Sequence, residues 1–180
     1  MSILKVARMG NPCLREVCTP FTAEEIVGAD AQRLVDDMIE TCAEYDGAGL
    51  AAPQVHVTRR LVIMEWPGKG QDEETMGLKA VFNPVVTLLT EKRLVHTEGC
   101  LSLPDLRGEV SRFNKVRLLG FDRAGQPIDE TMSGFPAAVV QHECDHLDGI
   151  LYVDRLTDVK TLSFLKEFLR AQGFADDGDG

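Results

Sequence analysis

The run Gln141-His142-Glu143-Cys144-Asp145-His146-Leu147 constrains this chain more than any other, because its two histidines can act together only if a helix carries them. Ser133 can cap such a helix, Pro136 suits its first turn, and Ala137-Ala138-Val139-Val140 leads into the histidines with apolar, helix-compatible side chains. At about 100° per residue, His142 and His146 fall roughly 40° apart on one face, where both imidazoles can reach one metal ion. Glu143 lies about 100° round from His142, near such an ion without being needed as a ligand, which is where a general base belongs. Cys144 falls roughly 200° from His142 and faces away. Gly149 offers a helix stop.

Taken alone, the HExxH pattern leaves two readings open, a pair of ligands or a satisfied polar pair. A third ligand would decide between them. No histidine follows His146, and the downstream carboxylates are Asp148, Asp154, Asp158, Glu167 and an acidic tail. Upstream, Glu98-Gly99-Cys100-Leu101-Ser102 sets a cysteine beside a glycine in a segment too short and interrupted for a helix. Two imidazoles and a thiolate leave a fourth position open, the arrangement of a catalytic centre. Two competing readings use the same residues. One is a metallopeptidase with a downstream carboxylate ligand; the other is a non-catalytic module whose closed four-ligand metal only supports the fold.

Composition narrows the class. A chain of 180 residues is most simply one domain with a core of its own. Five cysteines, an odd number without dense spacing, argue against a disulfide scaffold and for a reducing compartment. A net charge of −10 argues against nucleic acid and direct DNA binding. No window approaches the ~18 consecutive apolar residues of a membrane span. The N-terminus shows no targeting leader, so a cytoplasmic setting is expected.

Thr22-Ala23-Glu24-Glu25 has the form of a capping box, interrupted by Gly28. From about Asp30 to Glu44 a helix is expected, with Leu34, Val35, Met38, Ile39 and Cys42 as its core stripe. Strand signals follow at Arg60–Trp66, Ala80–Phe82 and Lys115–Phe121, with a hairpin turn at Asp122-Arg123-Ala124-Gly125. Pro67 to Gly77 reads as an exposed loop, and Asp158 to Gln172 as a last helix with Leu162, Leu165, Phe168 and Leu169 on one side. The expected fold is α+β. A single domain spans 1–174, with short, mostly antiparallel strands around a central metal-binding helix and with N-terminal and C-terminal helices. A disordered acidic tail at 175–180 follows.

Three segments together resemble peptide deformylase: Gly47-Ala48-Gly49-Leu50-Ala51-Ala52-Pro53-Gln54, Glu98-Gly99-Cys100-Leu101-Ser102, and Gln141-His142-Glu143-Cys144-Asp145-His146. They match the family's GxGLAAxQ, EGCxS and HExxH motifs at every defined position and in order. The opening, Ile3-Leu4 through Asn11-Pro12 to Leu14-Arg15, resembles the start of a family member, so the likeness runs from residue 3 to about residue 156.

The resemblance implies a metal-dependent hydrolase that removes the formyl group from the N-terminal formyl-methionine of nascent polypeptides, releasing formate. Cys100, His142 and His146 would hold one divalent ion. The resemblance favours Fe2+, with Zn2+, Ni2+ or Co2+ as replacements, and a thiolate with two imidazoles suits any of these. Glu143 would take the proton of the metal-bound water. The side-chain amide of Gln54, the backbone N–H of Leu101 and the metal would stabilise the oxyanion. The methionine pocket is assigned to Ala48, Phe135, Ala138 and Val139, with Gly49 leaving room for the peptide backbone and Arg107 reaching the peptide beyond methionine. Glu98 is read as a partner behind the ligands rather than a catalyst, and Arg112 as its counter-ion. His96, Cys13, Cys18 and His56 are given no role. Some family members carry a basic C-terminal helix thought to dock on the ribosome. Lys160, Lys166 and Arg170 are here mixed with Asp158 and Glu167, so only weak, transient ribosome contact is expected.

Overall fold

In a computed structural model of the chain, which describes residues 2–68 and 75–174, the fold is organised by one strand whose two faces are both buried. The N-terminal part forms α1 (Ala23–Ile26) and α2 (Ala29–Glu44). Thr22 and Glu25 close the capping box expected of them, and Gly28 in extended backbone separates the two helices. Strands β1 (Gly49–Ala51), β2 (Leu61–Trp66) and β3 (Met76–Leu88) follow. In β2, Leu61 and Ile63 pack with Val35, Met38 and Cys42 of α2, while Val62 and Met64 pack into the opposite cluster. Alternate side chains leave opposite faces of a strand, so β2 is apolar on both faces because a helix covers each.

The chain continues through β4 (Arg93–Cys100), β5 (Leu103–Phe113), β6 (Lys115–Phe121) and β7 (Pro127–Ser133) into α3 (Gly134–Leu147), then β8 (Ser163–Phe164) and α4 (Leu165–Ala171). Five strands form one antiparallel sheet in the order β1-β2-β3-β6-β7; β4, β5 and β8 form a second. The fold is therefore a mixed α+β domain of antiparallel sheets. Helix α3 touches both sheets and is buried almost all round. Its Ala137, Val139, Val140, Cys144 and Leu147 lie in the cluster with Val62, Met64, Val116 and Leu118. At its end Gly149 takes φ +71°, and the Ile150 N–H donates to the Asp145 carbonyl at 3.0 Å. A Cβ at Gly149 would press on the Arg15 backbone, so both conformation and space favour glycine.

Some boundaries differ from the sequence reading. The loop expected to reach Gly77 gives way to β3 at Met76, and that strand runs well beyond Ala80–Phe82 in both directions. Residues 69–74 of that loop, and the tail at 175–180, lie outside the described residues. The single helix expected over Asp158–Gln172 is broken. Asp158 accepts a hydrogen bond from the Lys160 N–H, the Thr161 hydroxyl donates to the Asp158 carbonyl, and Ser163–Phe164 pairs with Leu106 and Arg107 of β5. Leu162 packs against the third core cluster instead of joining Leu165 on a helix face. Local side-chain bonds and strand pairing override helical spacing here. No described helix is long and apolar enough to cross a membrane.

Candidate active site

Three elements meet at one point. Helix α3 contributes His142 and His146, the end of β4 contributes Cys100, and the turn after β1 contributes Gln54. Cys100 Sγ lies 3.3 Å from His146 Nε2. One potential ligand atom from each of Cys100, His142 and His146 falls within 4.8 Å of the others, the one such three-residue cluster found among the described residues.

Behind His142 stands a chain of charges. Its Nδ1 is 2.8 Å from Glu98 Oε2, so Nε2 is left to face Cys100. Glu98 accepts two hydrogen bonds from Arg112, at 2.7 and 2.9 Å. Arg112 also donates to Asp145 at 2.6 Å, and Asp145 accepts two bonds from Arg155. Burial works against the Glu98 charge, yet the bonds from Arg112 and His142 prevail and hold its carboxyl at about 2. Burial likewise opposes ionisation of Cys100, and the neighbouring imidazoles of His146 and His142 draw its thiol well below the usual range. A thiol held as thiolate beside two imidazoles is a donor set that fits a divalent transition-metal ion. Among the described downstream carboxylates, Asp148 pairs with Arg60, Asp154 with Arg15 and Glu167 with Arg170, while Asp158 accepts the Lys160 N–H.

Glu143 projects into the same cavity, which has a volume of about 460 Å³. Burial pushes its carboxyl up to about 6, against the pull of the two imidazoles. Its Oε2 is buried, and among the described residues it has no hydrogen-bond partner. A buried carboxylate oxygen without a partner is costly unless it serves a reacting group. Gly49 lies directly beneath this carboxylate, and a Cβ there would fall inside it. Gly49 therefore leaves room for the Glu143 carboxylate. Gln54 is 1% exposed. Its Oε1 accepts the Ala51 N–H at 2.8 Å, which turns Nε2 toward Ser102 Oγ (3.3 Å) and Cys100 Sγ (3.4 Å). Ala48, Phe135, Ala138 and Val139 form the apolar wall, and Phe135 is backed by Trp66 at 4.3 Å between ring centroids.

Residues 3–162 match the sequence profile of the polypeptide deformylase family. The chain belongs to that family. It is 41% identical over 177 residues to "Peptide deformylase 1" of Nitrosomonas europaea, a match covering 97% of this chain and 99% of that one. It is 40% identical to the peptide deformylase of Leptospira biflexa, covering 91% and 93%. Among solved structures, a class I type b peptide deformylase from Acinetobacter baumannii with Met-Ala-Ser bound superposes with a TM-score of 0.80 at 35% identity, covering 86% of this chain and 98% of that one. A peptide deformylase from Synechococcus elongatus in complex with actinonin gives 0.79 at 28% identity, covering 96% and 87%.

In this deformylase chain the cavity gathers Cys100, His142, Glu143, Gln54, Leu101 and Gly49 with the four wall residues and Arg107. His146 lies just beneath, almost fully buried, while Glu98 and Arg112 stand behind His142. The Arg107 guanidinium lies over Gly99, where a Cβ would collide with it. His96 stays apart from the donor cluster and packs edge-on against Phe135 at 5.9 Å. Cys144 faces a separate cavity behind α3, where Arg60 and Arg155 are already paired with carboxylates. Sequence reasoning missed Arg8, Ser102 and Asp145. Ser102 stood inside a motif and could have been singled out; Arg8 and Asp145 carried no local signal.

Proposed function

We propose that this protein hydrolyses the N-formyl group of formyl-methionyl nascent peptides with Cys100, His142 and His146 holding one divalent metal ion in the central helix–strand junction. The convergence of these three donors beside a buried Glu143 oxygen that has no hydrogen-bond partner among the described residues carries the reading. A cation held by these donors would polarise the formyl carbonyl and acidify water, and Fe2+ would suit the thiolate and imidazoles, as would Zn2+, Ni2+ and Co2+.

The chain's own residues do the rest. Glu143 accepts a proton from the attacking water, whose oxygen adds to the formyl carbon. The Gln54 amide and the Leu101 N–H donate to the oxygen on which negative charge develops. The carbon–nitrogen bond then breaks, Glu143 returns its proton to the departing amine, and formate and a free N-terminus leave. Ala48, Phe135, Ala138 and Val139 receive the methionine side chain, and Arg107 at the rim receives the peptide beyond it. Five free cysteines fit a cytoplasmic setting. The mixed charges of α4 (Lys166, Glu167 and Arg170) support only a weak, salt-screened contact with the ribosome, which co-sedimentation at rising salt would detect.

Formate release from formyl-Met-Ala-Ser by anaerobically prepared, Fe2+-loaded protein tests the reading. Rapid release by wild type and its loss in Cys100→Ala and Glu143→Ala are expected. A folded, metal-loaded wild type that releases no formate would overturn it.

A further inference from the structure

The two proposed oxyanion donors come from distant parts of the chain, and little joins them directly. Gln54 Nε2 reaches Ser102 Oγ at 3.3 Å and Cys100 Sγ at 3.4 Å, both at the long end for hydrogen bonds. A third segment grips both sides more tightly. The Ala7 N–H donates to the Gln54 carbonyl at 2.7 Å, and the Met9 N–H donates to the Ser102 carbonyl at 2.8 Å. Between them, Arg8 Nη1 donates to the Leu101 carbonyl at 2.8 Å. Ala7 is 2% exposed and anchored in the core with Leu14 and Leu103, whereas Arg8 lines the active-site cavity. Residues 7–9 thus form a strap across the seam between the Gln54 turn and the Cys100-Leu101-Ser102 turn, holding it by three short bonds.

We infer that Arg8 is a positioning residue for deformylation, acting through Leu101. Its guanidinium holds the Leu101 carbonyl and so limits rocking of the turn that carries the Leu101 N–H. Ala7 ties the same strap to the backbone of Gln54. The inference rests on the reading of Gln54 and the Leu101 N–H as oxyanion donors. Catalytic groups need placement finer than about 1 Å, and a charge-assisted bond to a neutral carbonyl is stronger than a neutral one. Ala7 and Met9 act through backbone N–H groups that almost any side chain would supply. Arg8 is the point at which the strap depends on a particular side chain.

The test compares wild type, Arg8→Ala, Arg8→Lys and Gln54→Met, all metal-loaded, on formyl-Met-Ala-Ser. Affinity for the product Met-Ala-Ser, which has no formyl oxygen, is measured alongside. Arg8→Ala is expected to lower kcat about tenfold, with KM and product affinity within about twofold of wild type. Arg8→Lys, which keeps a charged donor, should recover most of kcat. Amide hydrogen exchange over 99–103 should quicken in Arg8→Ala and not in Arg8→Lys. The inference is overturned by an Arg8→Ala enzyme with wild-type kcat, by a loss confined to KM and product affinity, or by failure of lysine to rescue. The Gln54→Met arm separates the two levels. A near-wild-type kcat there overturns the donor reading itself, whereas a loss there with an unaffected Arg8→Ala overturns only the role of Arg8.

Discussion

At the scale of single residues, the site is built by fit as much as by chemistry. Glu143 can stand over the donor cluster because Gly49 has no side chain, and the carboxylate occupies the place a Cβ would take. Gly49→Ala is therefore expected to leave the fold intact and to displace Glu143, lowering kcat by about 100-fold. Steady-state kinetics with a matched circular dichroism spectrum would check it, and a near-wild-type rate would contradict the contact. The identities of Cys100, His142, His146 and Glu143 as candidates were legible in the chain because motif and helical spacing report which side chains can share a face. The reason for Gly49 was not, since it depends on a side chain more than ninety positions away.

At the scale of elements, α3 and β4 are joined by buried charge. Arg112 of β5 and Glu98 of β4 are 4% and 8% exposed, and Asp145 of α3 shares the same guanidinium. Removing the arginine would leave the buried Glu98, which orients His142, without its cationic partner, while Asp145 keeps Arg155. Arg112→Leu is expected to destabilise the protein by about 3–5 kcal/mol, read by urea unfolding; a loss below about 1 kcal/mol would show Glu98 to be rehydrated at little cost. Among the elements, α2 and α3 were legible because each carries its own evidence, a core stripe in one and an apolar run with a glycine stop in the other; the side-chain cap expected from Ser133 does not form. The C-terminal helix was not. Its spacing suited a helix through Leu162, and the pairing of Ser163–Phe164 with β5 outcompeted it.

At the scale of the whole molecule, the N-terminal segment is tied both to the site and to the chain beyond α3. Residues 7–9 brace the donor turns, and Arg15 pairs with Asp154 beyond α3, with a second bond at 3.1 Å. The bond from Arg15 holds the Asp154 carboxyl below its ordinary value. A depressed folded-state value means the stabilisation is present above the unfolded pKa of about 3.9 and is lost as pH falls through the lowered one. Wild type should therefore exceed Asp154→Asn in stability at pH 6, and the two should converge as pH falls through the lowered value. With the aspartate side chain 38% exposed, solvent screening limits the difference to less than about 1 kcal/mol, measurable by unfolding at each pH. A gap that persisted undiminished in acid would exclude the ion pair as its source.

The sequence by itself determined the α+β class, the family, the helix that presents two histidines, and the cysteine that joins them. These follow from spacing along one element or from motifs in fixed order, and spacing within an element is set by local backbone geometry. Only the tertiary structure decided what stands behind and beside those residues: Arg112 and Asp145 behind Glu98, Glu143 above Gly49, and Arg8 against Leu101. Such contacts join positions far apart in the chain. They arise when packing of the two sheets around α3 brings those positions together, so no local pattern records them.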